Sequence, residues 1–493
     1  SNTEDVPLPV DVDDVTYAAG IFFLDEYLIG DPAFYGDVVL DDGVPVARYP
    51  ENGTAIIADD ARPLLLESFV ATSRPPVALP TEDDVPPVDA AAVDDAVEEA
   101  SLLLADEVTL NTDDGRSLVY EVEDLAAAFA VVIDEEAGTL VIDLDDDVLR
   151  AKIDPIIEEL SKAPVDARLV TNRETLQASI IPGENGTTVR TEELEAAILD
   201  AYQQPDRSAP LPLEISAEPD VTTEYLEGLN ITHMISKFTT YHACCENRVT
   251  NIQIIADAAD NVIVPPGASF DLNAVAGQRT EEKGYLPAGG IIGGEIDNEI
   301  IGGGISQFTT TMYNAVFWGG YQDVDHKPHS YYFSRYPMGV EATLDYFSVP
   351  LVWRNNDTDG VLVKTYTSET AVTVELWGNN DGRAIAGNHT DGTTSTWVLT
   401  AGGSDARIVT GTISEPYDPI EPAEELIGNP AIEPGTRKQV ESGISGFTVD
   451  IARTIEQNGS SDTQTWSWRY LAKPVRYEVH PLSLIHISEP TRR

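Results

Sequence analysis

Positive charge is scarce in this chain: 29 Lys plus Arg stand against 85 Asp plus Glu, a formal net charge of -56. A surface of that sign repels phosphate backbones and anionic headgroups, which argues against nucleic acid or an anionic membrane face as partner. Acidic runs such as Asp145-Asp146-Asp147 read as solvated surface rather than as cation sites. Long apolar runs are missing as well, none reaching the roughly 18 residues that a membrane-spanning helix needs. The chain opens Ser1-Asn2 without a secretory pattern, so an exporting or anchoring segment is expected upstream of residue 1.

Cysteine is almost absent. The only two are adjacent, Cys244-Cys245, and a normal bridge sets its Cα atoms roughly 5.5 Å apart, so neither can close a long loop with the other. Three readings stand: a strained, reducible vicinal disulfide, buried thiols, or a reactive or metal-binding thiol. Metal chemistry has little else to draw on. His326 and His329 lie three apart, but Lys327 and Pro328 break a helical ligand face and no second cluster completes a tetrahedral shell. Asn355 to Gly360 is rich in oxygen but lacks the distal Glu of a calcium loop. No metal and no cofactor is expected.

What is present begins with a repeat, in a chain of 493 residues that is too long for one core. Val44 to Thr54 resembles Leu176 to Thr187, each running through Asn-Gly-Thr, a helical stretch, and a Pro-studded strand (Val77 to Pro80, Leu211 to Glu214). The Asn-Gly pairs read as tight turns. Ahead of the second copy lie helical patterns over 89–104 and 145–162, the latter with Leu149, Ile153, Ile156, Ile157 and Leu160 at the 3, 4 spacing of one buried face. The fold class expected is α+β multidomain: small α/β repeats, a mixed α+β core and a C-terminal all-β module.

The core segment carries Arg248-Val249-Thr250-Asn251-Ile252, Pro265-Pro266-Gly267, Gly284-Tyr285, Gly302-Gly303-Gly304, Tyr313-Asn314-Ala315, His329-Ser330 and Glu341-Ala342-Thr343. In this order and spacing the segment resembles the VanW family of bacterial cell-surface proteins. Relatives there often have cysteine in place of Ser306 and aspartate in place of Glu341. The unit before it resembles the peptidoglycan-binding domain that often precedes VanW domains. The resemblance implies an extracellular, cell-envelope protein, membrane-anchored upstream of residue 1, with peptidoglycan or another wall polymer as partner. The divisions expected are 12–85 (partial repeat), 86–218 (complete peptidoglycan-binding-like domain), 231–380 (VanW-like domain), 385–481 (β module) and 482–493. That last stretch reads as an adapter-derived tail, so His486 is discounted.

Chemistry is expected around the triple glycine, which delivers Ser306 to the start of a helix over Ser306 to Ala315 with Phe308, Met312, Ala315 and Val316 as its inward stripe. Glycine opens backbone angles closed to other residues, and a first helical turn offers unpaired N–H groups. Nucleophilic catalysis needs a hydroxyl, a base and a group that orients the base. Ser306, His329 and Glu341 supply these types, with Asp345 the lesser candidate for the last role. Backbone N–H groups from Ile305 to Phe308 would face a developing oxyanion. Arg248 and Asn251, with Gly303, Gly304 and Gln307, are expected to hold substrate, the guanidinium forking onto a peptide carboxylate. A structural reading stands beside each: Ser306 as an N-cap, His329 as a hydrogen-bonded core residue, Glu341 paired with Arg335 or Arg279, and Arg248 paired with Glu246. The function expected is acting on or binding peptidoglycan, by a serine-type hydrolase or acyltransferase or by a non-catalytic binder.

In the β module, Phe447, Val449 and Ile451 alternate, as do Trp466, Trp468 and Tyr470, with Asn458-Gly459 between them as a hairpin turn. With Gly435, Gly443 and Gly446 the module resembles the five-glycine extracellular β modules associated with wall saccharides. Its aromatics either stack on sugars or pack one hairpin face on a core.

Overall fold

The computed structural model describes residues 11–25, 27, 31–71, 76–244, 246–292, 295–379, 384–386, 394–400, 407–457 and 459–485. The chain forms two compact units, residues 1–165 with 184–219 and residues 166–183 with 220–493.

In the first unit, the helix Ala90–Leu103 starts at Asp89, whose carboxylate accepts from Ala92 N at 2.9 Å. It buries Val93, Ala96, Ala100 and Leu103 at 3, 4 spacing. The second expected helix is broken. Asp145 caps Asp146–Ile153, and the chain then passes through a short 3-10 turn at Asp154–Ile156 before one more helical turn, Ile157–Leu160. Pro155 has no N–H to donate and its ring opposes a continued α-helix, yet Leu149, Ile153 and Leu160 stay buried.

The repeat is visible as element order. The hairpin Asp37–Asp41 with Val44–Arg48 is followed by Gly53–Ile56 paired with Thr81–Asp84 across the helix Ala58–Val70. Farther on, Arg168–Asn172 with Gln177–Ile181 is followed by Gly186–Val189 paired with Leu213–Ala217 across Leu194–Ala201. Even the isolated bridges correspond, Phe34 to Glu51 and Asp31 to Thr54 against Val165 to Glu184 and Lys162 to Thr187. The Asn-Gly pairs do not turn hairpins. Each glycine opens a strand, and space explains it: a Cβ on Gly53 would lie 2.1 Å from Asp31 O, and one on Gly186 2.8 Å from Pro164 Cδ.

The second unit is built on a six-stranded sheet in the order Ile263–Val264, Val361–Thr367, Ala371–Gly378, His233–Tyr241, Gln177–Ile181, Arg168–Asn172. Val372, Val374 and Leu376 alternate along one strand and share a core with Phe308, Met312, Ala315 and Val316 of the helix Ser306–Gly319. That helix presents no face to solvent. Every residue from Gln307 to Gly319 is buried, because strands Ile408–Ile413 and Gly446–Gln457 also pack on it: a Cβ on Gly411 would lie 2.4 Å from Trp318, and Arg453 donates to Phe317 O at 3.0 Å.

The C-terminal strands form one sheet ordered Ala384–Ala386, Thr394–Thr400, Ile408–Ile413, Gly446–Gln457, Tyr417–Ile420, with Ser460–Tyr470 also paired to Gly446–Gln457. A smaller sheet holds Glu424–Gly428, Val475–Val479 and Arg437–Glu441. Gln457 faces Ser460 across a two-residue connection in which Gly459 has φ +73°; Asn458 lies outside the described residues. Trp466 and Tyr470 meet Phe317 and Tyr332 at 5.8 and 5.5 Å, so this aromatic row packs on the core. Residues 331–336 and 341–344 form no strand, and the backbone of Ala342 is bonded instead to the side chain of Thr310 on the Ser306 helix.

Candidate functional site

The triple glycine is shaped by lack of room. Gly302 and Gly304 take φ +79° and +89°. A Cβ on Gly303 would sit 2.1 Å from Ala288 O, and one on Gly304 2.6 Å from Arg248 Cβ. Asn251 is wholly buried and spends its amide on this turn, donating to Leu286 O (2.8 Å) and Gly303 O (2.9 Å) and accepting from Leu286 N (2.8 Å). Both of its amide N–H groups are spent on fixing the turn.

Ser306 is the first helical residue rather than the cap. Ile305 holds the capping position, with no side-chain cap. The Ser306 hydroxyl shares a hydrogen bond with Thr343 Oγ1 at 3.1 Å. This is the first rung of a row: Thr310 Oγ1 donates to Ala342 O (3.0 Å) and accepts from Ala342 N (3.2 Å), and Asn314 Nδ2 donates to Val340 O (2.7 Å). Residues 306, 310 and 314 lie on one helix face, so the helix lashes the segment 340–343 along its length.

That segment carries Glu341, which is fully buried and meets His329 Nδ1 through Oε2 at 2.8 Å. The imidazole stacks on Tyr336 (5.1 Å, 6° between planes) with Phe333 edge-on at 5.6 Å. Among the described residues, Ser306 Oγ is bonded only to Thr343 and His329 only to Glu341. The structure thus brings base and acid together and leaves the serine on the adjoining rung. Glu341 pairs with neither Arg335, which lies over Phe333 and Tyr336, nor Arg279, which donates to Asn273 Oδ1 and Gly277 O. Asp345 accepts from Phe347 N, Ser348 N and Ser348 Oγ and is not the partner of His329.

Arg248 stands where Gly304 gives it space. Its Nη2 donates to Gln307 Oε1 at 3.4 Å, and Gln307 Nε2 donates to Tyr241 O at 3.3 Å. Among the described residues it forms no ion pair, with Glu246 or any other carboxylate, and its Nε is sealed without a partner. Burial pushes the Tyr336 phenol up, while the guanidinium charges of Arg335 and Arg248 pull it back. Arg248, Tyr336, His329 and Glu341 therefore share one electrostatic neighbourhood. Cys244 is exposed, which removes the buried-thiol reading for that residue; Cys245, and with it the state of the pair, lies outside the described residues.

His326 has a carboxylate partner of its own. His326 Nδ1 meets Asp323 Oδ2 at 2.7 Å, its ring stacked on Tyr313 (3.9 Å) and edge-on to Trp468 (5.3 Å). Tyr470 belongs to the aromatic row that packs on the core. Its hydroxyl accepts from Gly339 N at 3.0 Å, two residues before Glu341. The i, i+4 row of Ser306, Thr310 and Asn314 is legible in principle; the contact of Gly339 with Tyr470, 131 positions apart, is not.

Residues 247–377 match the family described as VanW like protein, and residues 122–208 the family described as "Putative peptidoglycan binding domain". A curated relative, the "Uncharacterized protein YoaR" of Bacillus subtilis (strain 168), is 31% identical over 188 residues, which cover 38% of this chain and 61% of that protein. The chain thus spans about three-fifths of that relative's length. No solved structure matches. Among the described residues no helix is long and apolar enough to cross a membrane. The site around Arg248, Ser306, His329 and Glu341 lies inside a VanW-like domain, carried on the same chain as a domain of the peptidoglycan-binding class.

Proposed function

We propose that this is an envelope protein, anchored upstream of residue 1, whose VanW-like domain takes a carboxylate-bearing peptide of the wall polymer at Arg248. One observation carries the reading: a half-buried guanidinium beside the Gly302 to Gly304 turn has no counterion among the described residues, in a chain of net charge -56. A guanidinium with no carboxylate partner amid such an excess of acids suits a ligand anion, and Arg presents the fork that a carboxylate fits. The segments 12–85 and 86–218 would add avidity for the same polymer, 231–380 would hold the site, and 385–481 would support it.

Titration calorimetry with purified muropeptides tests this. Arg248→Met and, separately, muropeptides with amidated carboxyl groups are each expected to bind tenfold or more weakly, since a charge-assisted bond contributes about 1.5–3 kcal/mol. Undiminished binding in both arms would sink the reading.

The His329–Glu341 pair favours a second reading, serine-type acyl transfer. The Ser306 hydroxyl would leave Thr343, attack an amide or ester carbonyl, pass its proton to His329 and so expel the leaving group protonated. Backbone N–H groups from Ile305 to Phe308 would receive the oxyanion. Turnover of muropeptides by the unaltered protein and its loss in Ser306→Ala support this; equal absence of turnover in both ends it.

A further inference from the structure

We infer that Tyr470, from the C-terminal hairpin, is a positioning residue for the His329–Glu341 pair and donates its hydroxyl proton to the second oxygen of Glu341. The inference rests on the reading of that pair as a functional site, but not on any ligand.

The argument is a count of donors and acceptors. Glu341 Oε2 is taken by His329, while Oε1 is sealed from solvent and has no other partner among the described residues. The Tyr470 oxygen accepts one N–H, from Gly339, and its own proton has no other acceptor. Tyr470 is fully buried, so that proton cannot go to water. A buried donor and a buried acceptor, each unsatisfied, the donor's oxygen being bonded to Gly339 only two residues before the acceptor, are expected to meet. Burial first, and then the charge of Glu341, push the Tyr470 phenol far above its ordinary range, which keeps it protonated and a donor.

The hairpin is fastened to the site segment at more than this point. Leu471 N donates to Ser330 O at 2.8 Å, next to His329. Gly339 has φ +74°, and a Cβ there would lie 2.8 Å from Ile451 Cδ1. Tyr332, Phe447 and Tyr470 form a closed aromatic triangle at 5.1 to 5.6 Å. Residues 329–341, which contain both members of the pair, are therefore held between the Ser306 helix on one side and the hairpin on the other. The hairpin is a wall of the site rather than a detachable module.

The test is the titration of His329 in the full chain, followed by ring-nitrogen NMR and assigned with His329→Gln. The groups that bear on it are Glu341, the stacked Tyr336, and Arg248 and Arg335 acting on that phenol. Removing a donor from Glu341 disfavours the negatively charged pair, so Tyr470→Phe is expected to raise the midpoint of proton uptake by about half a pH unit or more. The His326 signal serves as the control and stays unchanged. Should Tyr470→Phe fail to fold, 3-fluorotyrosine at 470 keeps the ring and sharpens the donor, and the midpoint is expected to fall. An unmoved His329 midpoint in either folded variant overturns the inference. No wall polymer is present in this experiment, so its outcome and that of the Arg248 binding test are independent.

Discussion

Two histidine–carboxylate pairs, their imidazoles three residues apart, are alike in chemistry and bond length and differ at the outer ring nitrogen. His326 and Asp323 are joined at 2.7 Å, His329 and Glu341 at 2.8 Å. His326 is pressed between Tyr313 and Trp468, and its Nε2 is sealed without a partner; the Nε2 of His329 is not among the sealed atoms. Asp323 acts on the Tyr313 phenol and the buried Arg453, whose guanidinium is spent on Phe317 O, Tyr321 O and Gln464. The two carboxylates are alike in their second oxygen, Asp323 Oδ1 and Glu341 Oε1 both being sealed, with Tyr313 beside the first and Tyr470 beside the second. Equal spacing and equal chemistry thus yield one pair locked into the seam with the C-terminal strands and one with its outer nitrogen open to exchange. Only the second can act as a base on a ligand, because proton transfer requires an accessible ring nitrogen.

The largest effect that would break this distinction is on stability. His329→Phe leaves the carboxylate of Glu341 buried and without its imidazole partner, and removing one member of a buried pair costs about 3–5 kcal/mol. His326→Phe leaves Asp323 with Tyr313 and Arg453 still near, and the cost is expected nearer about 1–3 kcal/mol. Urea denaturation at neutral pH ranks the two. The His329→Phe deficit should also shrink in acid, as the orphaned carboxyl takes up a proton; a larger loss from His326→Phe would reverse the comparison.

A middling effect is expected at the clamp. Gly339→Ala must force a side chain into φ +74° and against Ile451, whereas Gly435→Ala shares the left-handed angle but meets nothing within 4 Å. Strain alone costs roughly 1–2 kcal/mol at such angles, and crowding at Gly339 adds about 1–3 kcal/mol. Thermal unfolding of the two variants separates these contributions. Gly339→Ala should also disturb the His329 ring signals while sparing those of His326, and equal losses in both variants would deny that the hairpin bears on the site.

Much of the frame could be read from sequence because it depends on local rules. Asp89 and Asp145 cap helices as their position suggests, and the repeat emerges as matching strands and bridges. The helix that starts at Ser306 was legible, but its depth was not: Thr309, Thr310, Thr311 and Asn314 read as a polar flank, yet all are buried, because their hydroxyls and amide bond to the backbone of 305, 307 and 340–342. Periodicity assigns such residues to solvent, and only tertiary partners say otherwise. The same limit applies to the site. Ser306, His329 and Glu341 could be named, but Thr343 holds the serine and Tyr470 backs the acid through contacts that no spacing rule encodes. The two Asn-Gly pairs of the repeat, unlike the connection at Gly459, mislead for a related reason: Gly53 and Gly186 answer a close neighbouring segment, not a turn.

The smallest effect concerns Asp345, four residues beyond Glu341 and equally plausible by type as the partner of an imidazole. Its carboxylate accepts from Phe347 N, Ser348 N and Ser348 Oγ, and the Ser348 hydroxyl is the largest cause holding it below its ordinary range, with the charge of Arg279 helping and burial opposing. A folded value below the unfolded one means that the stabilisation is fully present above the unfolded value, near pH 4, and fades as pH falls through the folded value. The loop 345–349 should therefore loosen only in acid, and the Ser348 amide signal should report it. At neutral pH, Asp345→Asn should weaken that loop slightly and leave the His329 midpoint where it was. If instead Asp345→Asn moved that midpoint as far as Tyr470→Phe does, the imidazole would be answering to carboxylates in general. The distinction between an oriented pair and a merely acidic neighbourhood would then be lost.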